Sequence, residues 1–274
     1  MKKKRRIKKS VKKFVLLFFF VFTLAIMAFC IFKIIIWIND NKKIEDITDT
    51  INDNISITNS KEDIIDINNP DTPLDDPVWS YDSSLVKNVD FSKLYKINSD
   101  VIGWIIVENT NINYPIVQTN NNDFYLNHSF DKKKNGAGWV FMDYRNNFSE
   151  IDKNTIIYAH GRMNNTMFGS LRKVLNKSWY NNPQNYIINL STESYNSLWQ
   201  IFSVYKIPTT SDYLQIKFST DDEYLKWLNN LKDRSIYDFK TTISSENKII
   251  SLSTCYNEDE KIVVHAKLIK IQNK

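Results

Sequence analysis

Residues 14–32 are nineteen consecutive uncharged, mainly apolar residues, and they follow a tip, residues 1–13, that holds nine Lys and Arg and no acid. That pairing decides where the rest of the chain can fold. At about 1.5 Å per residue, a helix of this length extends roughly 28 Å, the thickness of a bilayer's hydrocarbon. Lys33 stands near the far end, where its stem can reach the interface, and Trp37, in the apolar continuation 34–38, suits the headgroup level. The basic tip stays in the cytoplasm under the positive-inside rule, and everything after residue 38 lies outside. A cleaved signal peptide is the competing reading, but its apolar region is ordinarily about 7–15 residues long and ends at small residues spaced for cleavage. This run is longer, and Ala25 and Ala28 lack that spacing. Cys30 follows bulky Phe29, a poor context for lipidation. The expectation is an uncleaved single-pass anchor, residues 14–38, in the cell membrane with a cytoplasmic N-terminus.

The charge of the body differs from that of the tip. Ten of the 36 basic residues precede residue 39 and all 31 acidic residues follow it, so residues 39–274 carry 26 basic against 31 acidic, a net of −5. A nucleic-acid-binding domain would carry positive charge on its folded part, so nucleic acid is not an expected partner. Hydrophobic content of 42% with 14% aromatic residues is enough for a core and excludes global disorder. Residues 39–84 are rich in Asn, Asp, Thr, Ser and Ile, with Pro70, Pro73 and Pro77 close together. They read as an extracytoplasmic stalk or linker, with a short helix near 42–51. Residues 85–274 have a globular texture. Residues 91–97 suggest an amphipathic helix. Eight short β-rich runs follow, at 101–107, 114–118, 138–142, 155–158, 186–190, 199–206, 248–253 and 262–271, separated by Asn, Asp and Gly turns. The pattern predicts a mainly β barrel or sandwich. One segment departs from it: Thr220 and Glu223 form a capping box, and Tyr224, Leu225, Trp227, Leu228 and Leu231 recur at helical spacing, which predicts a helix over 220–234.

Outside the apolar run the chain has one cysteine, Cys255, at the end of an apolar strand and before a polar turn. A lone extracytoplasmic thiol is exposed to oxidation, so its presence suggests use as a nucleophile; a buried free thiol acting as a small hydrophobe is the alternative. A thiol nucleophile needs a proton partner, and three histidines are available. His160 ends the strand 155–158 and precedes Gly161, which fits a strand-to-loop exit facing a cleft. His265 lies inside a strand and reads as structural. His128 sits in a loop and fits either role. One thiol and three scattered histidines show no metal-ligand spacing, so no metal site is expected.

Ser251-Leu252-Ser253-Thr254-Cys255, running into Lys261-Ile262-Val263-Val264-His265-Ala266-Lys267-Leu268, resembles the cysteine motif of sortases. Ile157-Tyr158-Ala159-His160-Gly161, followed by Met167, Phe168 and Leu171, resembles the histidine motif of class B sortases. Gly103-Trp104, Tyr114-Pro115-Ile116-Val117-Gln118, Phe124-Tyr125-Leu126, residues 138–143 with Arg145-Asn146, and Ser235-Ile236-Tyr237 match in the same order. The resemblance covers roughly residues 88–271. It implies an eight-stranded sortase-type β-barrel with an N-terminal helix and the inserted helix before the cysteine strand. It also implies a membrane-anchored cysteine transpeptidase of Gram-positive cell surfaces that uses no cofactor. Its partners would be surface proteins bearing a C-terminal sorting motif, and peptidoglycan or its precursor as the amine acceptor.

Carried over residue by residue, Cys255 would attack a backbone carbonyl of the sorting signal and hold it as a thioacyl group. His160 would protonate the leaving amine and then deprotonate the incoming one. Ser253, Asn122 and Leu126 would touch substrate. The family's third catalytic residue is an arginine at the start of the last strand, and here the chain departs: the aligned position is Lys261, after a turn shorter than the family's usual one. A lysine keeps the positive charge for an oxyanion but loses the two-pronged donor. Three alternatives follow. A weakened sortase fold could bind sorting signals without turnover. A pilin-type class C sortase would carry an Asp-Pro-aromatic lid, faintly matched by Asp76-Pro77-Val78-Trp79. An L,D-transpeptidase would place its cysteine after Ser-His-Gly, a context absent here.

Overall fold

The computed structural model describes residues 9–60, 63–67, 72–147 and 149–274. Residues 1–8 of the basic tip and residues 69–71 of the proline-rich stretch lie outside the described residues. The chain divides into two compact units, Met1–Asp46 and Ile47–Lys274. Helix α1 (Lys9–Asn54) contains the apolar run, whose Phe14, Leu16, Phe19 and Phe29 side chains are all exposed. It is long and apolar enough to cross a membrane and is a candidate anchor. The short helix expected near 42–51 is the continuation of α1, since no proline or glycine interrupts residues 39–54.

The second unit holds eight barrel strands: β1 (Val101–Val107), β2 (Asn113–Val117), β3 (Phe141–Met142), β4 (Asn154–Tyr158), β5 (Ile187–Thr192), β6 (Tyr195–Pro208), β7 (Ile249–Cys255) and β8 (Glu260–Asn273). Their order is β7-β4-β3-β2-β1-β5-β6-β8, and β8 pairs back onto β7 to close an eight-stranded barrel. Closure removes the exposed edges that an open sheet would offer. Two pairings are parallel, β7 with β4 and β2 with β3. Trp104, Trp139, Trp199, Phe168 and Phe202 are almost fully buried. Each of the eight β runs read from the sequence corresponds to one of these strands, with ends shifted by a few residues.

Helix α2 (Asp221–Asp233) matches the inserted helix expected at 220–234. Thr220 caps it by accepting from Glu223 N at 3.1 Å. The Glu223 carboxylate reaches back to Ser219 N at 2.8 Å rather than to Thr220 N, so half of the expected box is displaced by one residue. Tyr224, Leu228 and Leu231 bury one face of α2 against Phe202, Tyr205, Ile249 and Val263 of the barrel.

Residues 91–97 form only a 3-10 turn, Leu94–Lys96. Seven residues are too few to support an α-helix by themselves, and Asp90 draws the backbone N–H of Ser92 into a local turn. Residues 72–84, within the span expected as linker, are held to the barrel. Val78 and Tyr81 share a buried cluster with Val86, Ile187, Leu198 and Ile269. Asp76, fully buried, accepts from Gln200 Nε2 at 2.7 Å, Val78 N at 3.0 Å and Thr242 N at 3.2 Å, and lies 3.7 Å from Lys267 Nζ. Ser56–Asn59 pairs antiparallel with Lys87–Asp90, and Ile65–Asp66 pairs with β8.

Candidate active site

The parallel pairing of β4 and β7 brings the chemistry together. Its last register pair is Tyr158 with Ser253, so Ala159-His160 and Thr254-Cys255 leave the two strands side by side. Thr254 Oγ1 donates to the Ala159 carbonyl at 2.8 Å. Beyond it the backbones nearly touch: a Cβ on Gly161 would lie 1.9 Å from the Cys255 carbonyl oxygen, so only glycine fits after His160.

Lys261 arrives through the β7–β8 hairpin. The connecting turn is tied by Tyr256 N donating to the Glu260 carbonyl at 2.8 Å, and Asn257 Oδ1 accepts from Asp259 N at 2.9 Å and Glu260 N at 2.7 Å. This turn makes Cys255 and Lys261 cross-strand partners. Lys261 Nζ lies 3.0 Å from Cys255 Sγ. The short turn, which could have carried the lysine away from the thiol, instead places it directly opposite.

The loop after β2 supplies the third wall. His160 Nε2 donates to the Leu126 carbonyl at 2.7 Å, which assigns the proton to that nitrogen because a carbonyl only accepts. Gly138, at φ +61°, packs beneath the same loop; a Cβ there would meet the Tyr125 carbonyl at 2.5 Å. Asn122 is held at both ends of its amide, donating to Asp143 Oδ2 at 3.1 Å and accepting from Tyr144 N at 3.0 Å. Asp143 is buried and accepts from Arg145 Nε and Nη2, each at 2.8 Å, and from Tyr158 OH at 2.9 Å. Burial pushes the Asp143 carboxyl up, but these donors together outweigh burial and hold it below the usual carboxylate range.

A cleft of about 480 Å³ is lined by all six residues singled out in the sequence: Asn122, Leu126, His160, Ser253, Cys255 and Lys261. Its further walls are Phe141, Tyr158, Thr209, Thr210, Tyr213 and Leu214. Cys255 and His160 are half-buried, Leu126 is exposed and Ser253 is buried. Ser253 Oγ is engaged by Tyr213 OH at 2.8 Å, and burial raises the Tyr213 hydroxyl above its ordinary value. Tyr213, Thr209 and Thr210 escaped the sequence reading because they lie between β6 and α2, in a polar segment with no motif of its own.

The other candidates sit elsewhere. His265 is fully buried between Tyr205 OH at 2.8 Å and Ser251 Oγ at 2.7 Å, and burial, aided by the Arg234 charge, pushes it down to about 3. His128 stacks on Phe124 with centroids 4.0 Å apart and does not line the cleft. Arg234, the nearest arginine before Cys255 in the sequence, is paired with Asp212 and does not line the cleft either. Among the described residues no group of three or more His, Cys, Asp or Glu could hold a metal ion.

The arrangement offers a thiol, an imidazole and a cation around one peptide-sized cleft, which is the equipment of acyl transfer. The chain is similar to known proteins over most of this unit. The family model of the sortase domain matches residues 105–269. The chain is 37% identical over 185 residues to sortase B of Staphylococcus aureus, covering 66% of this chain and 75% of that one. It is 35% identical over 180 residues to sortase B of Listeria monocytogenes, covering 64% and 72%. A solved Staphylococcus aureus sortase B–substrate complex superposes with a TM-score of 0.62 at 36% identity, covering 66% of this chain and 84% of that one.

Proposed function

The chain belongs to the sortase family and to its class B, and from that premise we propose that it is a cysteine transpeptidase acting through Cys255, His160 and Lys261. The observation that carries this reading is the 3.0 Å approach of Lys261 Nζ to Cys255 Sγ, in a cleft that His160 also lines. The donor is the C-terminal sorting segment of a surface protein, lying in the cleft against Asn122, Leu126 and Ser253. His160 Nδ1 takes the Cys255 thiol proton, the resulting thiolate sulfur forms a bond to a backbone carbonyl carbon of that segment, and the carbonyl oxygen takes the negative charge. Lys261 donates to that oxyanion, the role a cationic donor fills best in a partly desolvated site. Collapse breaks the C–N bond. His160 gives a proton to the leaving amine, and Cys255 keeps the acyl group as a thioester.

The second half runs in reverse. An amine of peptidoglycan or its precursor enters, His160 takes its proton, the new amide forms and the thiol is released. Binding of Nε2 to the Leu126 carbonyl fixes the imidazole ring and leaves Nδ1 to exchange these protons. No cofactor enters the scheme. The candidate anchor α1 suits this chemistry, because it would hold the catalytic unit at the outer face of the cell membrane, with the basic tip cytoplasmic. The test is a transpeptidation assay of the full chain in detergent, with a library of sorting-motif peptides and candidate amines. Formation of a peptide–amine product by the wild type and none by Cys255→Ala supports the reading. Binding of a peptide without any product would favour a sorting-signal binder instead.

A further inference from the structure

The residues immediately after His160 and Cys255 share one partner. Arg172, half-buried in the 3-10 helix Gly169–Leu175, donates from Nη1 to the Gly161 carbonyl at 3.2 Å. From Nη2 it donates to the Tyr256 carbonyl at 2.7 Å. Its guanidinium also lies 5.6 Å from the centroid of the Tyr256 ring. Arg172 does not line the cleft, so it acts from behind the site. The β4–β7 ladder ends at Tyr158 and Ser253, and His160 and Cys255 lie past that end. The Thr254 bond to Ala159 comes before them and the Arg172 bridge comes after them. The helix that carries the arginine is fixed by burial of Ser170, Leu171 and Val174.

We propose that Arg172 is the positioning residue of the reaction: by bridging the Gly161 and Tyr256 carbonyls, it sets the separation of the His160 loop from the Cys255 turn. The proposal rests on the roles assigned above to Cys255 and His160. A planar fork can span two carbonyls, whereas an ammonium is a single compact donor group. An error of about 1 Å between reacting groups can cost as much as a hundredfold in rate, so the bridge needs no contact with substrate to matter.

The experiment compares full-length wild type, Arg172→Ala, Arg172→Lys and the neighbouring control Lys173→Ala, with rates normalised by titration of reactive Cys255. Arg172→Ala should lower kcat by at least about tenfold while the donor-peptide KM stays within about twofold, since the cleft walls are untouched. Arg172→Lys folds with the charge retained and should stay at least about fivefold below wild type, because one prong is lost. Lys173→Ala should stay within about twofold of wild type. A kcat for Arg172→Ala within about twofold of wild type would overturn the proposal, and so would a loss carried entirely by KM or by a lower Cys255 titre. A wild type silent toward every peptide would overturn the transpeptidase reading as well, whereas full rate in Arg172→Ala beside an active wild type overturns this inference alone.

Discussion

Replacing Lys261 tests the position at which the resemblance implies an arginine and this chain has a lysine. Lys261 is the cross-strand partner of Cys255, and its ammonium sits 3.0 Å from the sulfur. A tetrahedral intermediate on that sulfur places its oxyanion within one bond of the attacked carbon, close to the same ammonium. Removing one preorganised oxyanion donor typically costs a factor of about 10²–10³, or roughly 2.7–4 kcal/mol. Lys261 is only half-buried, so water can partly replace it, and a lysine holds its partner with one prong. The low end is therefore expected. Lys261→Ala and Lys261→Met should each lower kcat/KM by at least about tenfold, or about 1.4 kcal/mol. The methionine variant keeps an apolar stem, so an equal loss in both would trace the effect to the charge. Lys261→Arg should retain or raise activity by restoring the fork. The assay is cleavage of a sorting peptide with active-site titration of Cys255. Wild-type kinetics in a folded Lys261→Ala protein would refute the assignment and leave the oxyanion to a backbone amide.

Three further expectations follow from the geometry. Gly161→Ala places a Cβ against the Cys255 carbonyl, and should cost about 1–3 kcal/mol of stability but at least about a hundredfold in kcat/KM, read by urea denaturation and peptide cleavage. His265 is held neutral, down to about 3 from 6.5, so the unfolded chain binds a proton that the folded one refuses. Its contribution is intact above pH 6.5 and declines as pH falls toward 3, by on the order of 4–5 kcal/mol in all. His265→Gln should lack that decline, and parallel urea titrations that show the same pH slope in both proteins would contradict it. A chain starting at residue 47 should be soluble and active. One starting at residue 85 loses Val78 and Tyr81 and leaves Gln200 and Lys267 facing an empty Asp76 position, costing about 3–6 kcal/mol by thermal or urea melting.

The parts of the fold legible in the sequence were those with a local signature. The apolar run is long enough to name itself, the strands carry dense β-branched and aromatic residues, and α2 shows its face in Tyr224, Leu228 and Leu231. His160 and Cys255 were legible because each ends a strand inside a longer motif, and the parallel β4–β7 pairing then joins them across ninety-five residues of sequence. What stayed hidden depends on surfaces that meet only after folding. Residues 72–84 look like a spacer because prolines and aspartates dominate them, yet the barrel offers a pocket to Val78 and Tyr81 and buried donors to Asp76. Tyr213 reaches Ser253 from a loop whose own composition says only that it is polar. Arg172 follows a motif leucine, and nothing in its neighbours shows that two carbonyls from distant segments will converge on it. The Lys261 position could be aligned, but its distance from the thiol depended on turn geometry that Asn257 decides through two backbone bonds.

The central claim is that Cys255 carries the acyl group, and mass spectrometry of the intact protein mixed with an uncleaved sorting peptide that it turns over tests it most directly. The account predicts an adduct equal in mass to the N-terminal acyl fragment, located by digestion on the peptide containing Cys255, released by hydroxylamine and transferred to an added amine. An adduct on another residue, an adduct that persists in Cys255→Ala, or peptide turnover that proceeds in that variant would contradict it.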